Sequence, residues 1–451
     1  DGRNMNKQKT YMRVIYCFGA FGGLLFGYAT GVISGALLFI KKDMGLTSFL
    51  EGLVVSGVLI VALIGAAFSG PVADKYGRKK TIIILGVLFT IGAIGTAISP
   101  NVHTLIAFRI ELGIAVGGAS GIVPLYLAEM APANIRGKVS SLNTIMNALG
   151  IFMAYLVNYM FAASENWHWM LGLAVIPSVL LMLGMFFMPE SPRWLWQNVG
   201  EDEARRVLSL TRYSHQVEEE IRSIMQVKAE KKVNLKLLFA PGLRSVLFIG
   251  IGIAVFQQII GTNTIIYYTP TILSTAGFGS TAAIAGTIGI GVFNILFTIL
   301  GMLLIDKIGR KKLLLIGNIG MTVALGTLGV GMVWVEVPVW LLLTCLSLFI
   351  VAYSASWGMV VWVILGEIFP MNVRGVAMGV ASTALWLSNI VISMSFPVLV
   401  EAVGVGVLFL TYAVIGVFAF LFVMKYVPET KGRTLEEIEL EIAFKNKQAV
   451  S

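Results

Sequence analysis

The chain has 451 residues, 57% of them apolar and only 13% charged, where an average soluble domain is about a quarter charged. That shortfall excludes an ordinary globular core and points to long segments that meet lipid. The formal net charge is +9, but the cations sit between apolar runs, so they read as orientation in a bilayer and not as nucleic-acid binding.

In chain order, Asp1 to Asn4 precede Met5, which reads as a native start. They are set aside as an added remnant, and residues 1–10 are expected to form a tail. The apolar run that follows has no small-residue cleavage site and should remain as a full span. Runs of the roughly 20 apolar residues that cross a bilayer recur twelve times, centred near residues 25, 62, 90, 116, 151, 178, 257, 293, 323, 352, 388 and 416. The expected fold is an all-α membrane protein of twelve transmembrane helices in two six-helix bundles, residues 11–188 and 244–427.

Residues 189–243 are expected to be a cytoplasmic amphipathic helical linker. There Ala204, Val207, Leu208, then Val217, Ile221, Ile224 and Met225 recur at helical spacing. Residues 428–451 are read as a cytoplasmic tail. Cys17 and Cys345 lie in apolar runs and are expected to be reduced packing residues. The loops after odd-numbered spans hold only Lys41 and Lys42, and Arg109 lies inside a span. All other Lys and Arg fall in the termini, the linker and the loops after even-numbered spans. The positive-inside rule then puts both termini in the cytoplasm.

The halves repeat. Asp74-Lys-Tyr-Gly-Arg78 after span two is matched by Asp306-Lys-Ile-Gly-Arg310 after span eight. Glu129, seven residues before Arg136, is matched by Glu367 and Arg374. Pro189-Glu190-Ser191 is matched by Pro428-Glu429-Thr430. Three matched pairs in one order indicate a duplicated six-span unit, the pattern of two bundles rocking about a central site. Asp74, Arg78, Glu129, Arg136, Glu190, Asp306, Arg310, Glu367, Arg374 and Glu429 all sit at cytoplasmic span ends. Opposite charges there can pair and bias a two-state gate; the alternative is a static anchor.

These turns resemble the signature of the major facilitator superfamily. Pro124-Leu-Tyr-Leu-Ala-Glu129, Pro189-Glu-Ser-Pro-Arg193, Gln257-Gln-Ile-Ile-Gly-Thr-Asn263 and Pro428-Glu-Thr-Lys-Gly432 narrow the resemblance to the sugar porter family, from about Gly19 to Ile442. The short loops resemble the bacterial sugar:proton symporters most. The resemblance implies a bacterial, multi-pass plasma-membrane sugar transporter. It implies no enzyme activity, cofactor, metal or nucleic-acid partner, and a monomer in the lipid bilayer.

A sugar asks for amides, which both donate and accept, and for an aromatic plate. Span seven offers Gln257, Gln258 and Asn263, with Gly261 between them to break the helix; Asn294 is a lone amide in span eight. On residues alone, interhelical hydrogen bonding explains these amides equally well. The resemblance makes Gln257, Gln258, Asn263 and Asn294 sugar ligands, Trp362 the aromatic beneath the sugar, and Phe26 and Trp386 further pocket aromatics. Tyr267 and Tyr268 match its outer gate. Two positions depart from the family. Thr144 stands where Gln is usual, with Asn147 one turn on, and Leu385 stands where many relatives carry an amide.

Proton-coupled relatives have Asp at the position of Ala29, paired with the span-four arginine, here Arg109. Alanine cannot form that pair or carry a proton. Ala29 is either an engineered change in a symporter, the mark of a natural uncoupled facilitator, or a sign that coupling has moved elsewhere. Glu111, about 200° around the helix from Arg109, reads first as a lipid- or neighbour-facing side chain. As written, the chain is expected to exchange sugar without concentrating it. A non-transporting sugar sensor, a membrane enzyme and a drug carrier are the weaker readings.

Overall fold

Inside a bilayer a backbone N–H or C=O must find its partner within the protein, so apolar runs of this length must be helices. The computed structural model describes residues 2–132, 136–226, 235–369 and 373–432, with 437, 438, 440–442, 444 and 448 beyond them. Among the described residues, twelve spans are long and apolar enough to cross a membrane, centred where the sequence places them.

The first five are single helices: α1 (Gly2–Met44), α2 (Ser48–Tyr76), α3 (Arg78–Ala97), α4 (Val102–Met130) and α5 (Arg136–Ala162). The expected N-terminal tail is part of α1. No proline interrupts it, and Gln8 Nε2 donates to the carbonyls of Ser209 (3.0 Å) and Arg212 (3.1 Å). The sixth span is α6 (Trp167–Gly172) followed by α7 (Val175–Phe187). Three short helices come next, α8 (Pro192–Asn198), α9 (Glu201–Thr211) and α10 (Ser214–Gln226), then a 3-10 turn at Leu235–Phe239. Ala204, Val207, Leu208, Ile221 and Ile224 of these helices are buried, as an amphipathic reading requires, but Met225 points outward.

The seventh span is α11 (Arg244–Ile259) plus α12 (Thr262–Thr275). Then come α13 (Ser280–Ile308) and α14 (Arg310–Trp334), the tenth span as α15 (Val339–Ala355) plus α16 (Trp357–Ile368), α17 (Arg374–Val403) and α18 (Val405–Tyr426). Cys345 is buried and free; Cys17 is exposed on α1 and so is not a core packing residue.

The chain divides into two compact units, residues 1–45 with 56–230, and 46–55 with 231–451. The first turns of α2 group with the second unit because Gly52 meets the Met394 backbone and Ser48 Oγ donates to Glu401 Oε2, both on α17. The units repeat one packing scheme: α1 on α5 corresponds to α11 on α17, α3 on α7 to α14 on α18, and α3 on α4 to α14 on α15. In the first unit a stripe of small residues on α1 makes a close approach to α5. A Cβ added at Gly23, Gly27 or Gly35 would lie 2.7, 2.0 and 2.6 Å from atoms of Asn143, Asn147 and Asn158 on α5. Small residues every fourth position let two helix backbones meet where no hydrophobic drive between helices exists.

Candidate functional site

The seventh span breaks where the sequence offers a break. Gly261 is left-handed, φ 99°, between α11 and α12, a conformation that glycine adopts without steric cost. The break brings both sides of the span's polar run into one chain of hydrogen bonds. Asn263 Nδ2 donates to Gln258 Oε1. Gln258 Nε2 donates to Gln257 Oε1 at 3.2 Å. Gln257 Nε2 donates to the carbonyls of Trp357 (2.8 Å) and Gly358 (3.3 Å). All three amides are at least nine-tenths buried. The chain is directional, and each amide nitrogen carries two hydrogens; Gln257 uses both on the two carbonyls, so one hydrogen each on Gln258 and Asn263, with the Asn263 oxygen, remains to bind a polar guest.

The chain ends on a second break. The tenth span is interrupted at Ser356, φ −133° and ψ −89°, a feature the sequence reading did not foresee. The run Ser354-Ala-Ser-Trp-Gly358 was its signal. Trp357 is anchored there by Nε1 donating to the Leu314 carbonyl at 3.0 Å. Asn294 on α13 joins the same region: its Oδ1 accepts from Ser354 Oγ at 2.7 Å, just before the break. Trp362 on α16 is 41% exposed, an accessible aromatic face inside an apolar span. Trp386 on α17 is half-buried. Leu385 beside it is buried, and one turn on Asn389 is a buried amide whose Oδ1 accepts from Ser393 Oγ at 2.9 Å. The amide missing at Leu385 thus stands one turn on, at Asn389.

Tyr267 and Tyr268 are both buried in α12. Tyr268 Oη donates to the Ser393 carbonyl at 2.7 Å, and its ring packs 4.7 Å from Phe396. In the first unit Phe26 and Thr144 are half-buried. Asn147 Oδ1 is buried without a hydrogen-bond partner, against α1 at Gly27. Ala29 and Arg109 are both buried, and Arg109 lies beside Gly57 of α2.

The charged turns repeat almost atom for atom. Gly77 (φ 96°, ψ 161°) and Gly309 (φ 96°, ψ 162°) each end one span and begin the next. Their missing side chains leave room for a carboxylate: a Cβ there would lie 2.4 Å from Glu190 Oε2 and 2.7 Å from Glu429 Oε2. Glu190 Oε1 accepts the Arg78 N–H (3.0 Å) and Oε2 the Lys79 N–H (3.1 Å). Glu429 does the same for Arg310 (2.9 Å) and Lys311 (3.2 Å). Both glutamates therefore cap the open N-terminus of a long helix, where backbone N–H groups and the helix dipole favour an anion. Burial pushes the Glu190 carboxyl up from its ordinary value, against the lowering pull of the Ser191, Lys79 and Arg78 N–H groups and the Arg78 charge.

The arginines pair elsewhere. Arg78 holds Glu129 through two parallel bonds of 3.0 Å and reaches Asp74 at 3.4 Å. Arg310 holds Glu367 at 2.9 Å and Asp306 at 3.1 Å. Ser191 and Thr430 hydroxyls close the two clusters onto Glu129 and Glu367. These pairs all lie within one unit or the other. Arg136 and Arg374 open α5 and α17; their side chains lie outside the described residues.

Twelve spans in two repeated units, two of them broken beside buried amides, define a secondary transporter of the major facilitator type. The family described as Sugar (and other) transporter matches residues 15–441, and the chain belongs to it. It is 47% identical over 432 residues to the glucose transporter GlcP of Staphylococcus epidermidis, covering 95% of this chain and 97% of that one. It is 45% identical over 437 residues to the D-xylose transporter of Levilactobacillus brevis, covering 96% of each. Its fold matches the inward open conformation of the xylose transporter XylE from E. coli with a TM-score of 0.84 at 33% identity, over 95% of this chain and 99% of that one. The family is one of transporters and not of enzymes.

Proposed function

We propose that this chain carries a hexose or pentose across a bacterial cell membrane by alternating access, as a monomer with both termini cytoplasmic, and that Ala29 leaves it without proton coupling. The observation that carries the sugar reading is the amide chain Asn263–Gln258–Gln257. An amide inside a span is costly unless it serves a pathway or a partner helix. Here three run in series through a deliberate helix break and end on the carbonyls of a second. Gln257, Gln258, Asn263 and Asn294 bind the hydroxyls, Trp362 faces the ring, and Tyr267 and Tyr268 form the outer gate. Phe26, Trp386, Thr144 and Asn147 are further sugar contacts on resemblance alone. Asp74, Arg78, Glu129, Arg136 and Glu190, with Asp306, Arg310, Glu367, Arg374 and Glu429, form the cytoplasmic gate, whose clusters loosen and re-form as the transporter cycles.

The test is labelled-sugar exchange and net uptake in proteoliposomes, with glucose and xylose, with and without an imposed pH gradient. Exchange without accumulation is expected, and the Ala29→Asp variant should gain accumulation driven by the gradient. Accumulation by the unmodified chain under that gradient would remove the coupling claim; no exchange of either sugar would remove the transport claim.

A further inference from the structure

In the first unit, among the described residues, one acid lies in the middle of a span and takes no part in the sugar pathway. Glu111 lies within α4 and is directed at α3, where a Cβ on Gly92 would sit 2.3 Å from its Oε2. Both carboxyl oxygens are shut off from solvent, and neither has a hydrogen-bond partner. The charged groups of the helices around it lie elsewhere. α3 carries Arg78, Lys79 and Lys80 at its start and no titratable residue after them. Lys80 is twelve residues from Gly92, about 18 Å along the axis. α2 has Glu51 near its start and Asp74 and Lys75 near its end. α1 has Arg3, Lys7, Lys9, Tyr11, Arg13, Tyr16 and Cys17 in its first half, Tyr28, bonded to the Met170 carbonyl, and Lys41, Lys42 and Asp43 at its end; of the sixth span packed on α3, α7 carries no titratable residue and His168 of α6 pairs with the Ala97 carbonyl at the far end of α3. α5 has Tyr155 and Tyr159 within its length. On α4 itself His103 and Glu129 lie near the ends, and Arg109 faces another side of the helix.

An ionised carboxylate in such a place pays several kcal/mol of lost solvation with nothing to repay it. A neutral carboxylic acid does not. We propose that Glu111 is a proton-binding site within the membrane: it holds a proton at neutral pH in this conformation, and it is the acid at which a hydrophobic carbodiimide modifies the protein. In that reaction the acid's proton passes to a carbodiimide nitrogen while a carboxyl oxygen adds to the central carbon. The adduct rearranges to an N-acylurea, and nothing leaves. The site makes the packing of α3 on α4 sensitive to pH. Loss of the proton places a charge against Gly92 and drives the two helices apart, without a proton being carried across.

The test is an infrared difference spectrum between the unmodified chain and Glu111→Gln in lipid vesicles at neutral pH. Loss of the carboxylic-acid carbonyl stretch in the variant is expected; loss of the ionised-carboxylate bands in its place overturns the proposal. Peptide mapping after dicyclohexylcarbodiimide treatment should find the adduct on Glu111, its rate falling about tenfold per pH unit once the acid ionises. A rate unchanged with pH also overturns it. Should Glu111→Gln fail to fold, Gly92→Ala serves: the added methyl displaces the carboxyl and must shift the acid stretch, and an unshifted band sinks the placement. Sugar exchange in the same vesicles separates a failure here from a failure of the transport reading.

Discussion

Replacing Gln257 with leucine separates a sugar ligand from a structural clamp. In the structure this side chain donates to the Trp357 and Gly358 carbonyls and accepts from Gln258. Leucine keeps the volume, removes all three bonds and strands the Gln258 donor. Interhelical hydrogen bonds in membrane proteins average about 0.6 kcal/mol and reach about 1.7. A purely structural amide should therefore cost about 1–2 kcal/mol of stability and leave affinity alone. If the amide also binds sugar, one or two hydroxyl bonds at about 0.5–1.5 kcal/mol each are lost as well. That is about 0.5–3 kcal/mol, or about 2- to 150-fold in dissociation constant. Calorimetric titration with glucose and xylose on purified protein, run beside thermal unfolding, reads both quantities. Affinity within twofold of the unmodified chain, with only the melting temperature lowered, would refute the placement of the sugar on this amide chain.

Gly261→Ala forces an L residue into φ 99° and sets a Cβ 2.7 Å from the Tyr412 ring. The left-handed strain alone is about 1–2 kcal/mol, so thermal unfolding should show a clear loss and sugar exchange should fall with it. Glu129→Ala leaves the half-buried Arg78 guanidinium without its two-bond partner. A loss of about 3–5 kcal/mol is the scale for breaking a buried pair, read as lower expression and melting temperature; Glu367→Ala, which removes a single bond to Arg310, should cost less. Because burial raises the Glu190 carboxyl in the folded state, folding favours its protonated form. Its contribution to stability is largest below the unfolded carboxylate value and declines as pH rises through the raised one. The melting-temperature difference between the unmodified chain and Glu190→Gln should shift in that sense between acid and neutral pH; a shift of opposite sign would mean that the capping N–H groups and the Arg78 charge outweigh burial.

The sequence by itself determined the twelve spans, because a run of twenty apolar residues in lipid has no conformation open to it except the helix. It also determined the duplication, because Asp-x-x-Gly-Arg and Pro-Glu-Ser/Thr recur in order, and the break at Gly261, because glycine between amides six apart is a local signal. Tertiary structure alone decided what those residues touch. Glu190 and Glu429, read as gate charges, cap helix N-termini, since only folding brings residue 190 to the turn at residue 77. At the Ser356 break, Gln257 from a distant span donates to the Trp357 and Gly358 carbonyls. Asn147 lies against Gly27 of α1 because a stripe of glycines draws the α5 backbone in. Each is a contact between residues far apart in the chain, and local pattern carries no record of such contacts.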